Sequence, residues 1–411
     1  MYSYNQKDLE NLTINNTKIY ADILEDEALE QFNNAMALEC NIQGALMPDT
    51  HTGYTLPIGA VIKSKAKIFP SYVGYDIGCG MCAIKLDIYK EDIDLEKLKQ
   101  FILDSIPLGI HRHKQPQNYE IQNSTVFTKD KFKQIGRFQI GTLGGGNHFI
   151  ELGTGKDNKV WIIIHSGSRG FGAKIAEHYM QLAIKKSVNK TIFEREFEEN
   201  NQDFKQHNLY KFEKAKEKYI NRSVETYLKK NLEGHYGFDI NSQDGKDYIL
   251  DMNCALDFAL ANRKAMISNI VSFLNNPKEL MFINRNHNHA EIFDDRYVIH
   301  RKGATQANKN MLGVIPGNMK DGSFIVKGKG CEDSLNSSSH GAGRVLSRRQ
   351  AKLKLNLDEF HASMDGIVTN HTDDTLDESS KAYKDIFEVM ELQKDLVEVI
   401  DYIKPILNIK G

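Results

Sequence analysis

Glycines stand beside residues that can bind metals or phosphates in a series of short segments spread along this 411-residue chain. Glycine permits positive φ angles and a close approach of the backbone to another group. The pattern therefore indicates tight turns and strand ends that bring polar side chains to a cleft. The segments are MPDTHTGYTLPIG (47–59), VGYDIGCGMC (73–82), GTLGGGNHFIE (141–151), IIIHSGSRGFG (162–172), NRNHNHAE (284–291), IHRKGATQA (299–307), GVIPGNM (313–319) and SSSHGAGR (337–344).

Blocks of different periodicity alternate along the chain. In the β-branched first third, residues 56–63 and 160–165 are predicted to be short buried strands. From about 174 to 275 the apolar spacing is helical, strands and glycine turns then return, and residues 383–403 again show an amphipathic, helix-like pattern. Blocks of this kind, without regular βαβ units, predict an α+β fold. No linker or repeat interrupts residues 1–411, so a single compact domain is expected.

Charge and composition limit the possible partners and compartments. The net charge of −2 gives no overall attraction to a polyanion, so nucleic-acid binding would need a local basic patch. The mixed Lys and Glu residues of the helical stretch favour a solvated helix face over a polyanion-binding arm. No apolar run predicts a membrane span, and the polar N-terminus does not resemble a signal peptide. Five scattered cysteines favour a reducing cytoplasm over a disulfide scaffold.

The segment DIGCGMC combines a carboxylate with two thiols. Asp76 and Cys79 are three residues apart and can share or bridge metal ions. Cys79 and Cys82 also form a CxxC motif, but no second CxxC follows, so a structural zinc site is weakly supported. A redox role stays open, although the flanking residues are not thioredoxin-like.

Several histidines lie in turn-rich segments. His148 follows a triple glycine, and His165 ends an apolar run. His287 and His289 alternate, so in an extended chain they would share a face. Each histidine alone is more often a packing residue than a ligand, but together with the Asp-x-x-Cys pair they predict a metal centre. Mn²⁺ and Zn²⁺ both suit such a mixed set, and the carboxylate with phosphate-binding surroundings favours Mn²⁺.

Other glycine-rich stretches offer groups to an anion. Residues 144–146, residues 167–172 with Arg169, and the Lys302 region supply backbone N–H groups or cations. None matches GxxxxGK[ST], which excludes a Walker-type NTPase. His340 lies between three serines and a Gly-Ala-Gly run followed by arginines, and this setting indicates an imidazole beside an anionic ligand.

Taken together and in this order, DIGCG, GGGNHFIE, HSGSRG, HRKGAT and SHGAGR resemble the RtcB family of RNA ligases, from about residue 47 to 411. The resemblance implies mixed β-sheets flanked by helices around a central active-site cleft. It also implies an enzyme that uses GTP and two Mn²⁺ ions to join RNA 3′-phosphate or 2′,3′-cyclic phosphate ends to 5′-hydroxyl ends, in tRNA splicing or RNA repair. A helper protein of the archease type is a possible partner.

The resemblance further implies individual roles. His340 would attack GTP and form a histidine–GMP intermediate, which then passes GMP to the RNA and gives an RNA–ppG end. The implied metal ligands are Asp76, Cys79 and His148 for one ion and Cys79, His165 and His287 for the other. The implied nucleotide contacts are Asn147, Glu151, Asn288, Gly343, Tyr383 and Lys410. The implied RNA contacts are Arg169, Lys302 and Arg344.

The chain also departs from the family pattern. Gly78 stands where many relatives have asparagine, Cys82 is an additional thiol, and Asn318 replaces a usual serine, which bears on guanosine recognition. An alternative function is an Mn²⁺-dependent RNA end-capping guanylyltransferase or phosphoesterase that stops before joining. A non-catalytic RNA- or metal-binding module is disfavoured, because it has no need for an imidazole beside a nucleotide pocket.

Overall fold

The computed structural model describes residues 2–3, 16–231, 234–370 and 372–411, in which strands and helices are interspersed. The strands are β1 (Tyr2–Ser3), β2 (Thr17–Ile19), β3 (Ile23–Leu24), β4 (Asn41–His51), β5 (Ile58–Lys65), β6 (Lys67–Ile68), β7 (Gly80–Tyr89), β8 (Phe149–Thr154), β9 (Lys159–Ser166), β10 (Phe238–Asp239), β11 (Glu279–Asn286), β12 (Asn288–Phe293), β13 (Tyr297–Lys302), β14 (Ala304–Gln306), β15 (Leu312–Pro316), β16 (Ser323–Gly328), β17 (Ser337–Ser339), β18 (Val368–Thr369) and β19 (Val397–Lys410).

The α-helices are α1 (Asp26–Met36), α2 (Pro70–Val73), α3 (Leu95–Ser105), α4 (Val126–Gln139), α5 (Arg169–Ser187), α6 (Lys190–Asn200), α7 (Gln202–His207), α8 (Leu209–Lys230), α9 (Gln243–Phe273), α10 (Arg348–Lys354), α11 (Leu357–Ser363) and α12 (Ile386–Leu392). Short 3₁₀ helices cover Lys90–Asp92, Asp373–Glu378 and Ser380–Ala382.

Two sheets form the framework. The larger has the strand order β11-β7-β9-β8-β19-β16-β15, with β18 beside β19, and the smaller has the order β12-β13-β5-β4-β2. Most neighbouring strands are antiparallel, but β18 runs parallel to β19 and β2 runs parallel to β4. Both sheets are therefore mixed, and together with the helices they confirm the predicted α+β fold.

The pleat of the larger sheet separates a helix-covered core from the face that carries the site. In β9, Ile162 and Ile164 join the apolar cluster that includes residues of α3 and α9. Trp161 and Ile163 point to the opposite face and belong to a different cluster. His165 follows the same alternation as these two residues, because side chains two apart on a strand share a face. An apolar strand thus ends in a histidine on the side away from the helices.

A helical layer packs beside the sheets. Phe171 of α5 and Tyr248 and Phe258 of α9 form much of its core. On α8, Phe212 and Val224 are buried, whereas its charged residues pair at the surface, as Lys216 does with Glu198 and Glu213 at 3.1 and 2.8 Å. Among the described residues, no helix combines the length and apolarity that crossing a membrane requires.

The two strands predicted from the sequence are present, but the helix predicted near the C-terminus is only partly correct. Strands β5 and β9 confirm the predictions for 56–63 and 160–165. The helix predicted over 383–403 is wrong in its second half, which belongs to β19. The pattern also placed Phe387 on the inner face, but this side chain is 52% exposed. A bulge is the reason: Ile325 pairs with Asp401 and Val326 with Val399, so the residue between them is extra. That extra residue breaks the two-residue alternation and imitates a helical spacing.

Candidate active site

A cavity of about 440 Å³ lies where the ends of β7, β8 and β9 meet the segments around residues 288, 317 and 340. It collects most of the side chains singled out in the sequence. The predicted site residues that line it are Asp76, Cys79, Asn147, Glu151, His165, His287, Asn288, His340, Gly343, Arg344, Tyr383 and Lys410. His148 contacts Asp76 and Cys79 from behind this lining.

Cys79 is the centre of two overlapping groups of metal-type ligands. Its Sγ atom lies 3.3 Å from Nε2 of His148 and 3.1 Å from Nε2 of His165. Nε2 of His165 is 3.3 Å from Nε2 of His287, and Oδ2 of Asp76 is 3.1 Å from Nε2 of His148. The structure thus brings together all five residues predicted as metal ligands, in the two sets that share the thiol.

Backbone carbonyls orient two of these imidazoles. Nδ1 of His148 donates to the carbonyl of Leu143 at 3.0 Å, and Nδ1 of His165 donates to the carbonyl of Asn147 at 3.1 Å. A proton on Nδ1 leaves the lone pair of Nε2 directed at the neighbouring sulfur and nitrogen atoms. Several lone pairs facing one another at this distance repel unless a cation or a proton lies between them. The donor set therefore fits a divalent cation.

The electrostatics of the protein groups agree with that fit. Burial lowers the pKa of His165 and of His287 well below the usual range, so both imidazoles are neutral. Burial, followed by the charge of Asp76, raises the pKa of the Cys79 thiol well above its usual range. A divalent cation would reverse this last effect, because a coordinating thiol loses its proton.

His340 lies next to this centre and is held by Asp49. The ring centroids of His340 and His287 are 4.7 Å apart. Nδ1 of His340 lies 2.7 Å from Oδ2 of the fully buried Asp49, a contact whose angles fall short of a well-aligned hydrogen bond. The same oxygen accepts the backbone N–H groups of His340 and Gly341 at 3.0 and 3.2 Å. Burial would raise the pKa of Asp49, but His340 outweighs it and the pKa is lowered.

The glycine at 343 has a structural cause. Its φ is +76°, and a Cβ there would lie 2.3 Å from the carbonyl oxygen of Asp49. Gly343 therefore lets the segment after His340 pack directly against the strand that carries Asp49. This close packing fixes the distance between the imidazole and its carboxylate.

Arg169 explains the glycine at 144, the first residue of the triple-glycine loop. A Cβ at Gly144 would lie 1.9 Å from Nη1 of Arg169. The guanidinium donates to Thr142 Oγ1 at 3.3 Å and to the carbonyl of Gly109 at 3.2 Å, and it does not line the cavity. The loop is thus shaped around an internal cation, and the RNA contact predicted for Arg169 stays a prediction.

Lys302 and Arg344 are also bonded within the protein. Lys302 is buried, and its Nζ donates to the backbone carbonyls of Tyr54 and Ser71. Arg344 lines the cavity, and its Nη2 donates to the carbonyl of Asp377 at 2.6 Å. Of the predicted RNA contacts, Arg344 is therefore the one whose side chain borders the cavity.

The asparagines beside the metal-type groups take different positions. Asn288 donates to the carbonyl of Asp76 at 3.1 Å and accepts the N–H of Gly303 at 2.8 Å. Asn147 lines the cavity, and its backbone carbonyl accepts a hydrogen bond from Nδ1 of His165. Both asparagines thus help to hold the loops around the site.

Two buried carboxylates contribute to the site: Glu151 lines the cavity, and Glu378 contacts the lining residues Tyr383 and Lys410. Glu151 accepts hydrogen bonds from Ser323 Oγ at 2.8 Å and Asn408 Nδ2 at 3.1 Å, and burial raises its pKa to about 7. Glu378 Oε2 lies 2.7 Å from Nζ of Lys410 and accepts the hydroxyl of Tyr383 at 2.6 Å.

Two expectations about neighbouring residues are corrected. His287 falls between β11 and β12, so the chain kinks there, and His289 lines a different cavity with Arg285. His287 and His289 therefore do not share a face. Cys82 lies in the apolar cluster below the sheet, donates to Asn284 Oδ1 at 3.1 Å and belongs to neither described metal-type group. The CxxC motif is thus divided between two faces, which disfavours a structural zinc or redox pair.

Sequence reasoning did not assign Asp49, Glu378 or Arg263, although each contacts a site residue or its neighbour. Asp49 lies in the glycine-flanked segment MPDTHTGY, whose polar side chains signalled a site without indicating the partner. Glu378 and Arg263 lie in stretches without such a signal, and only the folded chain brings them next to residues of the site or their neighbours.

The fold and the site describe an α+β protein with a Cys/His/Asp centre of the metal-binding type beside a carboxylate-held histidine. A family model described as tRNA-splicing ligase RtcB matches residues 31–131 and 117–411. The chain is 34% identical over 402 residues to the RNA-splicing ligase RtcB of Escherichia coli (strain K12), which covers 89% of this chain and 90% of that protein. This chain belongs to the RtcB family.

More distant relatives cover the chain as fully. The tRNA-splicing ligase RtcB of Nanoarchaeum equitans is 27% identical over 489 residues, which covers 96% of this chain and 94% of that protein. RNA-splicing ligase RtcB homolog 1 of Entamoeba dispar is 26% identical, over 93% of this chain and 82% of that protein.

Proposed function

We propose that this chain is an RNA ligase that uses GTP and two Mn²⁺ ions to join RNA 3′-phosphate or 2′,3′-cyclic phosphate ends to 5′-hydroxyl ends. Membership of a family described as tRNA-splicing ligases supports the reaction class. The observation that carries the mechanism is the position of His340, 4.7 Å from the ring of His287 and against the Asp49 carboxylate.

In the first step, Nε2 of His340 attacks the α-phosphorus of GTP. A P–N bond forms, the bond between the α-phosphorus and the bridging oxygen breaks, and pyrophosphate leaves. Asp49 keeps the proton on Nδ1 and stabilises the positive charge that develops on the ring. The product is a histidine–GMP adduct on the protein.

In the second step, an oxygen of the RNA 3′-phosphate attacks the phosphorus of this adduct. The P–N bond breaks, His340 recovers its lone pair, and the RNA carries a 3′-ppG end. In the third step, a 5′-hydroxyl attacks the RNA phosphorus, GMP leaves, and the hydroxyl proton passes to water. A 2′,3′-cyclic phosphate is first opened by water to a 3′-phosphate.

The donor sets suit the charge that this chemistry creates. Mn²⁺ held by Asp76, Cys79 and His148, and by Cys79, His165 and His287, would neutralise phosphate oxygens during the transfers. Zn²⁺ also suits these donors, so metal-replacement assays decide between the ions.

The remaining predicted contacts are arranged along the same cavity. Glu151, Tyr383 and Lys410 would hold the guanine, and Asn147, Asn288 and Gly343 would border the phosphates. Arg344 is the best placed of the three predicted RNA contacts, because it lines the cavity while Arg169 and Lys302 do not. We further propose that residues 1–411 act as one catalytic unit, in the cytoplasm, with an archease-like protein as a candidate helper.

The test uses GTP labelled at the α-phosphate, Mn²⁺ and the 411-residue chain, followed by RNA with 3′-phosphate and 5′-hydroxyl ends. We expect a labelled, acid-labile protein adduct that is absent from the His340→Ala variant, and then joined RNA. Capped RNA that is never joined would instead support the end-capping guanylyltransferase. Joining without an adduct, or no adduct and no joining, would contradict the proposal.

A further inference from the structure

Arg263 of α9 connects backbone segments that lie far apart in the sequence. Its side chain is fully buried. Nη1 donates to the carbonyl oxygens of Gly78 and Ser166 at 2.8 and 2.7 Å. Nη2 donates to Oδ1 of Asn286 at 2.7 Å and to Oδ1 of Asn284 at 2.8 Å. One planar group therefore fixes three segments relative to one another.

In each of these segments, the residue bonded to Arg263 is adjacent in sequence to a metal-type ligand. Gly78 precedes Cys79, Ser166 follows His165, and Asn286 precedes His287. These three neighbours form one of the two described donor groups. A single guanidinium thus bonds to a residue adjacent in sequence to each of the three ligands. The bond is to the backbone carbonyl next to Cys79 and His165, and to the side chain of Asn286 next to His287.

The bonding of Arg263 differs from that of the other fully buried arginine. Arg301 pairs with the carboxylate of Glu291 at 2.9 Å. Within the described residues, no carboxylate oxygen lies within ion-pair distance of Arg263, whose acceptors are all neutral. A buried cation without a carboxylate is costly, so stability alone is a weak reason for it. The fixed fork of five N–H donors holds several acceptors at once, which an ammonium group does not match.

We infer that Arg263 is a positioning residue, which sets the spacing of Cys79, His165 and His287 before an ion binds. The inference rests on the proposed function for the identity of that ion. Outer groups that orient metal ligands typically contribute about 10–100-fold to metal affinity. The guanidinium would act through the peptide groups beside the ligands and would not contact the ion.

The test measures metal binding without turnover. Free Mn²⁺ is followed by electron paramagnetic resonance during titration of the 411-residue chain, and Co²⁺ absorption in the thiolate charge-transfer region reports ligation by Cys79. We expect Arg263→Met to weaken Mn²⁺ binding by about 10–100-fold and to change the Co²⁺ spectrum. Arg263→Lys, which keeps the charge but loses the fork, should not restore either property. Asn286→Ala, which removes one acceptor, should give an intermediate loss.

Arg301→Met is the matched control for loss of a buried arginine, and we expect it to lower thermal stability while Mn²⁺ affinity stays at the wild-type value. Wild-type affinity and an unchanged Co²⁺ spectrum in Arg263→Met would overturn the inference, whatever the effect on thermal stability. If Arg263→Met does not fold, wild-type binding by Asn286→Ala overturns it instead. A wild-type protein that binds neither ion would contradict both proposals, whereas one that binds ions but forms no adduct with GTP would contradict only the proposed function.

Discussion

Nδ1 of His340 lies 2.7 Å from Oδ2 of Asp49, a carboxylate that the fold buries completely. The two residues are almost three hundred positions apart, and the close approach of Gly343 to the Asp49 backbone keeps them together. A carboxylate beside Nδ1 would favour a proton on that nitrogen and would leave the lone pair of Nε2 for a ligand. We therefore expect Asp49 to favour this tautomer of His340.

Asp49→Asn should slow formation of the histidine–GMP adduct by about 10²–10⁴-fold, because an amide N–H would favour the tautomer with the proton on Nε2. Single-turnover labelling with GTP measures the rate. Asp251→Asn serves as a control, since Asp251 is buried and bonded to Thr125 and Tyr179 away from the cavity. An adduct rate in Asp49→Asn equal to the wild-type rate would show that the carboxylate does not set the tautomer.

Cys79→Ala should remove both ion sites, because Cys79 belongs to both donor groups. We expect equilibrium dialysis to show the loss of bound Mn²⁺, together with the loss of the adduct. Cys254→Ala, which removes a buried thiol from the helical core, should retain both properties. Retention of two ions by Cys79→Ala would exclude a shared thiolate ligand.

GTP affinity should fall as the pH drops below about 7, the value to which burial raises the pKa of Glu151. The ionised carboxylate would accept hydrogen bonds from the N–H groups of guanine. Protonation would turn one of its oxygens into a donor and weaken this contact. Affinity should therefore decrease by up to about tenfold per pH unit below this pKa. Calorimetric titration between pH 6 and 8 tests this, and Glu151→Gln should abolish both the pH dependence and the preference for GTP over ATP. A wild-type affinity that is constant over this range would count against the guanine contact.

Glu378→Gln should destabilise the protein at neutral pH and much less in acid. Burial opposes ionisation of Glu378, but Lys410 and then Arg348 lower its pKa from 4.5 to about 2. The folded-state pKa is below the unfolded one, so the contribution is fully present above pH 4.5 and is lost as the pH falls toward 2. A shift of this size corresponds to about 3 kcal/mol in the free energy of unfolding.

Urea denaturation at several pH values measures this contribution. The exposed Glu388 provides a control, since Glu388→Gln should change the free energy of unfolding by less than about 0.5 kcal/mol at any pH. A difference between wild type and Glu378→Gln that stays constant from pH 7 to pH 3 would contradict the linkage.

Short-range patterns predicted the parts of the site that lie at the ends of strands. The apolar run before His165 predicted a strand that ends near a cleft, and β9, which runs to Ser166, places His165 in the cavity lining. The resemblance to a family placed Cys79, His148 and His287 together, whereas their spacing alone left a structural zinc site open. A kink at residue 287 separates His287 from His289, and no feature of the local sequence marks it.

Contacts between distant segments account for what the sequence did not predict. Arg263 belongs to a regular helix, and its function depends on carbonyl groups of other elements. Glu378 lies in a short 3₁₀ helix, and its partner Lys410 is on the last strand. Near Ile400, the pairing of β19 with β16 inserts one extra residue, and the altered spacing imitates a helix. Pattern analysis of one segment does not detect effects of this kind.

The alternation along β8 and β9 has a consequence for how this protein tolerates change in evolution. A point substitution alters one face of the sheet, but an insertion or deletion of one residue would exchange the two faces for the rest of the strand. Isoleucines would then point into the cavity and His165 would enter the apolar core. We therefore expect length variation among relatives to be absent from 149–154 and 159–166 and to collect in the turn between them.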